Sequence, residues 1–285
     1  TLSMLQQYNL IYNASSAPVR TAFFSRWDVR EILDFVSIRG LFSKGGADTK
    51  IVAVVADAAE PPNNRRILHA VFRRAGRADA EQGFDIDYYD LHWLPRSDVL
   101  AEPGPEIWRS GLLGGARAYS LVKRLKQYRS LKQHAAERGW HVREGFVEGQ
   151  KGVSRPSDHL IGKPLLPSTA LSVTGIDKSQ ITVVPDKPIE GPRSAELFTP
   201  PMLLVREHED LPNAIWSEEY LTFKNQIVGF AKAGRDDLEV VARWLKTESI
   251  ALRAYAAGIS TKLFTQKATN IAGADVLALP FPEDG

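Results

Sequence analysis

The chain has 285 residues, of which 44% are hydrophobic and 25% are charged, and it contains no cysteine. These values are typical of a globular protein and exclude a disordered chain, disulfide bonds, thiolate catalysis and cysteine-ligated metal sites. No apolar run reaches the roughly 18 residues that a membrane span requires, and the first residues lack the features of a signal peptide. We therefore expect a cytoplasmic protein without a membrane partner, and the spacing of the histidines predicts no metal site.

The formal net charge is only +2, but the charge is unevenly distributed. Residues 1–105 hold 12 basic and 13 acidic side chains, and residues 179–285 hold 11 and 15. Residues 106–178 hold 13 basic and 6 acidic side chains, a net charge of +7. A basic segment between neutral and acidic flanks is typical of contact with a polyanion, although a solvated helical face would carry the same charges.

The first hundred residues favour an α/β fold. Residues 50–56 form a short, β-branched run that predicts a strand buried on both faces, and residues 67–72 predict another strand. Residues 43–48 and the polar run 73–83 predict loops, the second of them mobile. Residues 84–105 are aromatic and rich in proline, and we interpret them as an irregular connector that packs on a neighbour.

The second part of the chain mixes helices with short strands. Apolar residues recur at helical spacing from Trp108 to Glu137, with a break at Gly114-Gly115, and basic residues occupy the other face. Residues 139–201 predict loops and short strands because they hold many glycines and prolines. Residues 201–206 and 223–230 predict strands, and residues 236–257 predict an amphipathic helix that begins with acidic capping residues.

No complete catalytic motif is present. Amino-group methyltransferases place an acidic or amide residue, two prolines and an aromatic residue against a flipped base. The sequences Glu60-Pro-Pro-Asn and Thr199-Pro-Pro-Met each lack part of that pattern, so we predict that both are turns. The glycine pairs Gly45-Gly46 and Gly114-Gly115 do not follow a strand and open a helix as a nucleotide-binding loop does. We assign no catalytic, cofactor-binding or metal-binding residue to this chain.

Several segments, taken in order, resemble the carboxy-terminal part of N6-adenine DNA methyltransferases of restriction-modification and phage-defence systems. The segments Arg26-Trp-Asp-Val-Arg-Glu-Ile-Leu-Asp-Phe, Ile38-Arg-Gly-Leu-Phe and Lys50-Ile-Val-Ala-Val-Val resemble the last strands of the methyltransferase sheet. The segments that resemble the connector and the target-recognition domain are Trp108-Arg-Ser-Gly-Leu-Leu-Gly-Gly, Gly139-Trp, Glu144-Gly-Phe, Pro201-Met-Leu-Leu-Val-Arg-Glu, Phe223-Lys-Asn-Gln-Ile-Val-Gly and Asp275-Val-Leu-Ala-Leu-Pro-Phe-Pro.

The resemblance implies a fold of α/β and α+β class with two parts. Residues 1–105 would end a methyltransferase-type α/β sheet, and residues 106–285 would form a mixed, β-containing target-recognition domain with flanking helices. The family's cofactor-binding and catalytic motifs are absent here, so S-adenosylmethionine would bind another part of the complete enzyme. The chain would be a fragment or a split subunit that positions double-stranded DNA while a catalytic part flips and methylates the adenine.

Basic side chains are the candidates for DNA contact, because phosphates attract Lys and Arg, and side chains on loops can reach base edges. On the polar face of the predicted helix, Lys123, Arg124 and Lys126 are candidates for phosphate contact. The candidates on predicted loops are Lys151, Arg155, His159, Lys163, Arg193, Arg206, Lys262 and Lys267.

A second interpretation belongs to another functional class. The chain would be a protein-docking module of a defence complex without direct DNA contact, and the basic helix would serve solubility. Its docking surface would be the aromatic connector Tyr88-Tyr-Asp-Leu-His-Trp. A salt series distinguishes the two, because the affinity of a phosphate-binding protein for DNA falls steeply with salt.

Overall fold

A computed structural model of the chain describes residues 1–38, 50–74, 84–149, 157–191, 193–260, 262–263 and 269–282. It divides the chain into two compact units. Unit 1 comprises Thr1–Arg124 and Ala257–Ala268, and unit 2 comprises Leu125–Ala256 and Thr269–Gly285. Both units combine helices with sheets, which confirms the predicted α/β and α+β class. The assignment of residues 1–105 and 106–285 to parts of a methyltransferase stays a prediction.

Unit 1 is built on a five-stranded sheet with helices beside it. Its elements in chain order are β1 (Leu2–Gln7), α1 (Asn9–Tyr12), α2 (Ala17–Arg26), β2 (Asp28–Asp34), β3 (Ile51–Asp57), β4 (Arg66–Val71), β5 (Arg73–Arg74), β6 (Phe84–Asp85), β7 (Leu91–Pro95), α3 (Arg96–Ala101), α4 (Glu106–Leu113) and α5 (Ala116–Leu125). The strand order in the large sheet is β1-β3-β2-β4-β7. The strands β3 and β4 confirm the two predictions made from β-branched runs.

Strand direction changes twice across this sheet. β3 lies between β1 and β2 and runs antiparallel to both of them, with Leu5 opposite Ala53 and Ile32 opposite Val54. β2 and β4 are parallel, and β7 runs antiparallel to β4 at the edge. Within the described residues, β1 forms the other edge of the sheet.

A buried polar network lies within the core of unit 1. The carboxylate of Asp34, the last residue of β2, accepts hydrogen bonds from the Tyr12 hydroxyl and from the backbone amide of Val36. Its Oδ2 atom lies 3.0 Å from Nε2 of His69 on β4. Burial raises the pKa of Tyr12 well above its ordinary value, and the charge of Asp34 acts in the same direction. The network therefore holds a neutral tyrosine that donates its proton to a carboxylate.

The structure corrects the prediction that residues 84–105 are irregular. Leu91–Pro95 is a strand and Arg96–Ala101 is a helix. The alternation was obscured because β7 is an edge strand whose outward positions carry Leu91 and Trp93, so that apolar residues face both ways. The predicted loop at residues 43–48 and most of the predicted mobile loop at 73–83 lie outside the described residues. Arg73–Arg74 pair with Phe84–Asp85 as a short antiparallel ladder.

The helical stretch predicted from Trp108 to Glu137 contains three helices, which are α4, α5 and α6 (Leu131–Glu137). The predicted break at Gly114-Gly115 is confirmed, because both glycines have positive φ angles of 118° and 81°, which favour glycine. A second break precedes α6, whose first turn is capped by the Ser130 hydroxyl accepting from the amide of Gln133 at 3.3 Å.

Unit 2 holds several small sheets. Its remaining elements are β8 (His141–Glu144), β9 (Val147–Glu148), β10 (Pro164–Leu166), β11 (Leu171–Ser172), β12 (Gly175–Ile176), β13 (Thr182–Val183), β14 (Ile189–Glu190), β15 (Met202–Arg206), β16 (Asn213–Trp216), β17 (Thr222–Phe223), β18 (Ile227–Ala231), α7 (Arg235–Thr247), α8 (Ser249–Ile259), whose last residues belong to unit 1, and α9 (Gly273–Leu277). The main sheet has the order β16-β15-β18-β8 and is antiparallel throughout.

The predictions for unit 2 are confirmed in type and corrected in extent. Residues 139–201 are loops and short strands, and β15 matches the prediction for 201–206. The run 223–230 is two strands rather than one, because the amide of Ile227 bonds the Lys224 carbonyl at 3.1 Å and closes a turn between them. The helix predicted for 236–257 is divided at Glu248 into α7 and α8.

Both Pro-Pro sequences lie in turns, as predicted. The amide of Arg65 bonds the carbonyl of Pro62 at 3.0 Å, which closes the turn after Glu60-Pro-Pro-Asn. The peptide bond between Pro200 and Pro201 is cis, immediately before β15.

Candidate nucleic-acid interface

The predicted phosphate-binding residues lie at the end of α5. Lys123 and Arg124 occupy the last turn of this helix and are exposed, and Lys126 is exposed just beyond the helix end. The Lys123 ammonium lies 3.0 Å from a carboxylate oxygen of Glu102 and 5.4 Å from the centre of the Tyr119 ring. Part of its charge is therefore balanced within the protein, which makes Arg124 the more available of the two for a phosphate.

The predicted loop residues Lys151 and Arg155 lie outside the described residues, but both ends of their loop are described. At one end, the amide of Gly149 bonds the Pro188 carbonyl at 2.8 Å, next to the β9–β14 pairing. At the other end, the Ser157 hydroxyl donates to the Gly191 carbonyl at 2.8 Å and accepts from the Arg193 amide at 2.8 Å. Both ends are thus attached to the segment around β14, which brings the loop's base to Arg193.

Arg193 is accordingly placed beside the loop that carries Lys151 and Arg155. Its Nε atom donates to the carbonyl of Gly145 at 3.0 Å, which holds the side chain against the end of β8. Burial lowers the pKa of the Arg193 guanidinium, and the nearby charge of Arg143 acts in the same direction, while Glu144 and Glu190 oppose the effect. Two guanidinium groups are therefore close enough to repel each other at this place.

Sequence reasoning missed Arg143. It lies on β8 opposite Gly229 of β18, and its side chain is exposed. Arg143 and Arg193 are far apart in the sequence and come together through the β9–β14 pairing and the Ser157 hydrogen bonds. The single-residue signal was the alternation of β8, where Arg143 is the outward position of a four-residue strand.

The other predicted residues are dispersed. His159 lies in a short 3-10 turn at Asp158–Leu160 and Lys163 follows it, and both side chains are exposed. Arg206 ends β15, half-buried, with Nη1 3.4 Å from the Leu171 carbonyl. Lys262 is half-buried, and its amide bonds the Ser260 hydroxyl at 3.2 Å. Lys267 lies outside the described residues.

Most other cations of unit 2 that the structure describes have acidic partners. Glu148 accepts from Lys224 at 2.6 Å and lies 3.3 Å from Lys187, and the hydrogen bond from Lys224 lowers the pKa of its carboxyl. Arg138 and Arg253 pair with Asp237 and Asp210. Arg143 has no hydrogen bond or ion pair among the described residues, so the Arg143–Arg193 surface differs from its surroundings in charge balance.

Two further observations concern the described part of the chain. It contains no group of three or more His, Cys, Asp or Glu residues that could hold a metal ion. None of its helices has both the length and the apolar character needed to cross a membrane.

Comparisons with known proteins give one similar structure. The sequence matches no protein-family profile and no curated protein significantly. Among solved structures, the type IIG restriction endonuclease BpuSI is similar over 99% of this chain, with 8% sequence identity and a TM-score of 0.36. The chain spans 40% of the length of that endonuclease.

Proposed function

We propose that this chain is the DNA-recognition region of an N6-adenine DNA methyltransferase, which holds duplex DNA while a catalytic part binds S-adenosylmethionine and methylates a flipped adenine. The observation that carries the proposal is the surface formed by Arg143 and Arg193 at the base of the loop that bears Lys151 and Arg155. This surface matches the chemistry of a phosphate backbone and lies beside a loop that can reach base edges.

The charge arrangement supports a phosphate partner. Two like charges at close range raise the free energy of the unbound protein, and an anion between them relieves that cost. The guanidinium group is suited to this task, since its planar N–H fork bonds phosphate oxygens bidentately. The hydrogen bond from Arg193 to Gly145 fixes the side chain before DNA binds, which reduces the entropy lost on binding.

The sheet of unit 1 supports a separate catalytic part. The resemblance assigns residues 26–55 to the last strands of a methyltransferase sheet, and β1 is an edge strand within the described residues. Leu2 and Leu5 are exposed on that edge. An edge with apolar side chains and free backbone groups is a template for another strand. We place the catalytic part of the enzyme at this edge.

The first prediction tests the arginine surface. In the full chain, Arg143→Ala should weaken binding to a duplex of arbitrary sequence and reduce the salt slope by about 0.9, because one phosphate fewer is neutralised. Fluorescence anisotropy with a labelled duplex over a range of salt concentrations measures both quantities. Arg235→Ala is the matched control, because Arg235 is exposed and already paired with Glu239 at 2.9 Å. Identical affinities and slopes for wild type and Arg143→Ala would remove the surface from the interface.

The same assay separates affinity from specificity once the catalytic part and its recognition site are in hand. Changing Lys123, Arg124 and Lys126 together to alanine should weaken binding to cognate and scrambled duplexes alike. Changing Lys151 or Arg155 should cost about 1–3 kcal/mol for each base that is no longer read, on the cognate duplex only. Equal losses on both duplexes would assign the loop to phosphate contact instead.

A second prediction concerns the β1 edge. Leu5→Lys should abolish co-purification of the chain with its catalytic part, because a buried ammonium would disrupt strand addition at this edge. Val19→Lys on α2 is the matched control, since Val19 is 60% exposed and Leu5 is 59% exposed. Retention of the complex by Leu5→Lys would show that the catalytic part binds elsewhere.

A further inference from the structure

Unit 1 contains a cleft that the proposed DNA contact does not use. It lies between β7 and the junction of α4 with α5, and its volume is about 400 Å³. Clefts of this size bind small organic ligands, provided that a few polar groups fix the orientation of an otherwise apolar partner. The walls of the cleft indicate which ligand it fits.

One wall is aromatic and unusually exposed. The side chains of Tyr88 and Trp93 line the cleft and are 84% and 54% exposed. Exposed rings of this size, together with neighbouring Tyr89 and Leu91, form an apolar patch of the kind that marks a binding surface. Stacking of a flat ring on such side chains is one of the ways in which proteins bind nucleobases.

The aromatic wall is held in place by hydrogen bonds. The Asp87 carboxylate accepts from the amide of Tyr89 at 2.7 Å, and the Asp90 carboxylate accepts from the amide of Asp87 at 3.2 Å. Nε of Arg73 donates to Asp90 at 2.7 Å. These bonds fix the turn that presents Tyr88, so little backbone freedom remains to be lost when a ligand stacks there.

The opposite wall has no side chains. It contains Gly111, Gly114 and Gly115, and a Cβ atom at Gly114 would meet no other atom within 4 Å. A Cβ atom at Gly115 would lie 2.8 Å from the His92 ring, which excludes a larger residue. The glycine backbone therefore leaves a flat surface that a planar ligand can approach closely.

Hydrogen-bond acceptors lie in the same cleft. Nε2 of His92 lies 3.0 Å from the Gly111 carbonyl, and a carbonyl only accepts, so this nitrogen carries the ring proton. Nδ1 is then an acceptor, and it has no hydrogen-bond partner among the described residues. Burial lowers the pKa of His92, and His69 acts in the same direction, so the ring stays neutral at pH 7. Asp98 adds a carboxylate to the lining.

We propose that this cleft binds an unpaired, amino-bearing nucleobase, adenine or cytosine, which stacks on Tyr88 and Trp93 and donates its exocyclic N–H to Nδ1 of His92. Arg66 also lines the cleft and is exposed, so its guanidinium can meet the attached phosphate. Thymine offers no exocyclic amino group and fits this pair of acceptors less well. The site lies in unit 1, and the binding does not depend on the proposed duplex contact around Arg143 in unit 2.

Calorimetry on the full chain tests the proposal, with adenosine, cytidine and thymidine monophosphates as probes. We expect saturable binding of the first two and about 3- to 10-fold weaker binding of the third, as one lost hydrogen bond gives. Trp93→Ala and Tyr88→Ala should each weaken adenosine monophosphate binding by about 5- to 150-fold, the range for a lost base–aromatic stack. His92→Phe should abolish the preference over thymidine monophosphate and keep the stacking.

The control is Tyr128→Ala, since Tyr128 is a 52% exposed tyrosine of unit 2 outside the cleft. Its binding should equal that of the wild type. A single-stranded deoxyadenylate hexamer distinguishes the source of the base: clearly tighter binding than the mononucleotide assigns the cleft to a DNA strand, and equal binding to a free nucleotide. No binding of any probe, or equal losses from Tyr88→Ala and Tyr128→Ala, would overturn the proposal and leave Tyr88–Trp93 to a protein partner. Arg143→Ala should leave mononucleotide binding unchanged, which keeps this test separate from that of the proposed function.

Discussion

Truncation of Phe223 to alanine is expected to lower the free energy of unfolding of unit 2 by roughly 3–5 kcal/mol, the range for a large aromatic residue removed from a core. Phe223 ends β17 and is fully buried, with its ring 5.0 Å from the Phe198 ring. It also packs onto β18, where a Cβ atom at Gly229 would lie 2.3 Å from its Cζ atom. The ring therefore fills space that no neighbouring side chain can reach.

The close approach between Phe223 and Gly229 supplies the control. Gly229→Ala alone should destabilise unit 2 by about 1–3 kcal/mol through overpacking. In Phe223→Leu the smaller side chain leaves room for the added methyl, so the double variant should cost less than the sum of the single variants, with a coupling of about 0.5–3 kcal/mol. Urea unfolding followed by hydrogen exchange of unit 2 peptides measures each free-energy change. Additive costs would show that the two residues do not share this space.

Replacement of Arg109 by methionine is expected to lower the free energy of unfolding of unit 1 by roughly 2–5 kcal/mol, because it leaves two buried carbonyl groups without their donors. Arg109 lies on α4 and is fully buried. Its Nε and Nη2 atoms donate to the Ala257 carbonyl at 3.2 and 3.0 Å, and Nη2 donates to the Leu263 carbonyl at 2.7 Å. Methionine is similar in length but offers no donor.

Hydrogen exchange of the peptides that contain Ala257 and Leu263 measures this effect directly, since these residues lose their attachment first. Arg109→Lys keeps a charge but not the fork of donors, and it should fall between wild type and Arg109→Met. Arg117→Met is the matched control, because Arg117 is exposed on α5. Equal exchange in the Arg109 and Arg117 methionine variants would show that the buried hydrogen bonds do not hold this segment.

The sequence predicted those elements whose burial leaves a local signal. The β-branched runs of β3 and β15 are buried on both faces, so their hydrophobicity alone identifies them. β7 was missed because an edge strand with Trp93 on its outer face has no clean alternation. The division of the run 223–230 depends on the turn at Lys224–Gln226, where Asn225 is a turn residue within an otherwise strand-like pattern.

The candidate sites depended on tertiary structure. Arg193 was predicted from its residue type, but its neighbour Arg143 becomes recognisable only when β9 pairs with β14 and Ser157 attaches the loop. The aromatic residues Tyr88 and Trp93 were noted as a docking surface. Their cleft, however, needs the glycines of α4 and α5 opposite them and the acceptor on His92, a combination that no local pattern encodes.

The discontinuity of unit 1 has a consequence for its biosynthesis. Residues 125–256, which belong to unit 2, must be translated before Ala257 and Leu263 exist to accept from Arg109. At 5–20 residues per second, this interval lasts about 7–26 s on the ribosome. During that time the two carbonyl groups that will accept from Arg109 have not been made, so unit 2 can reach its fold while unit 1 is still open. Expression of residues 1–124 alone would therefore yield a nascent-chain intermediate rather than a finished domain.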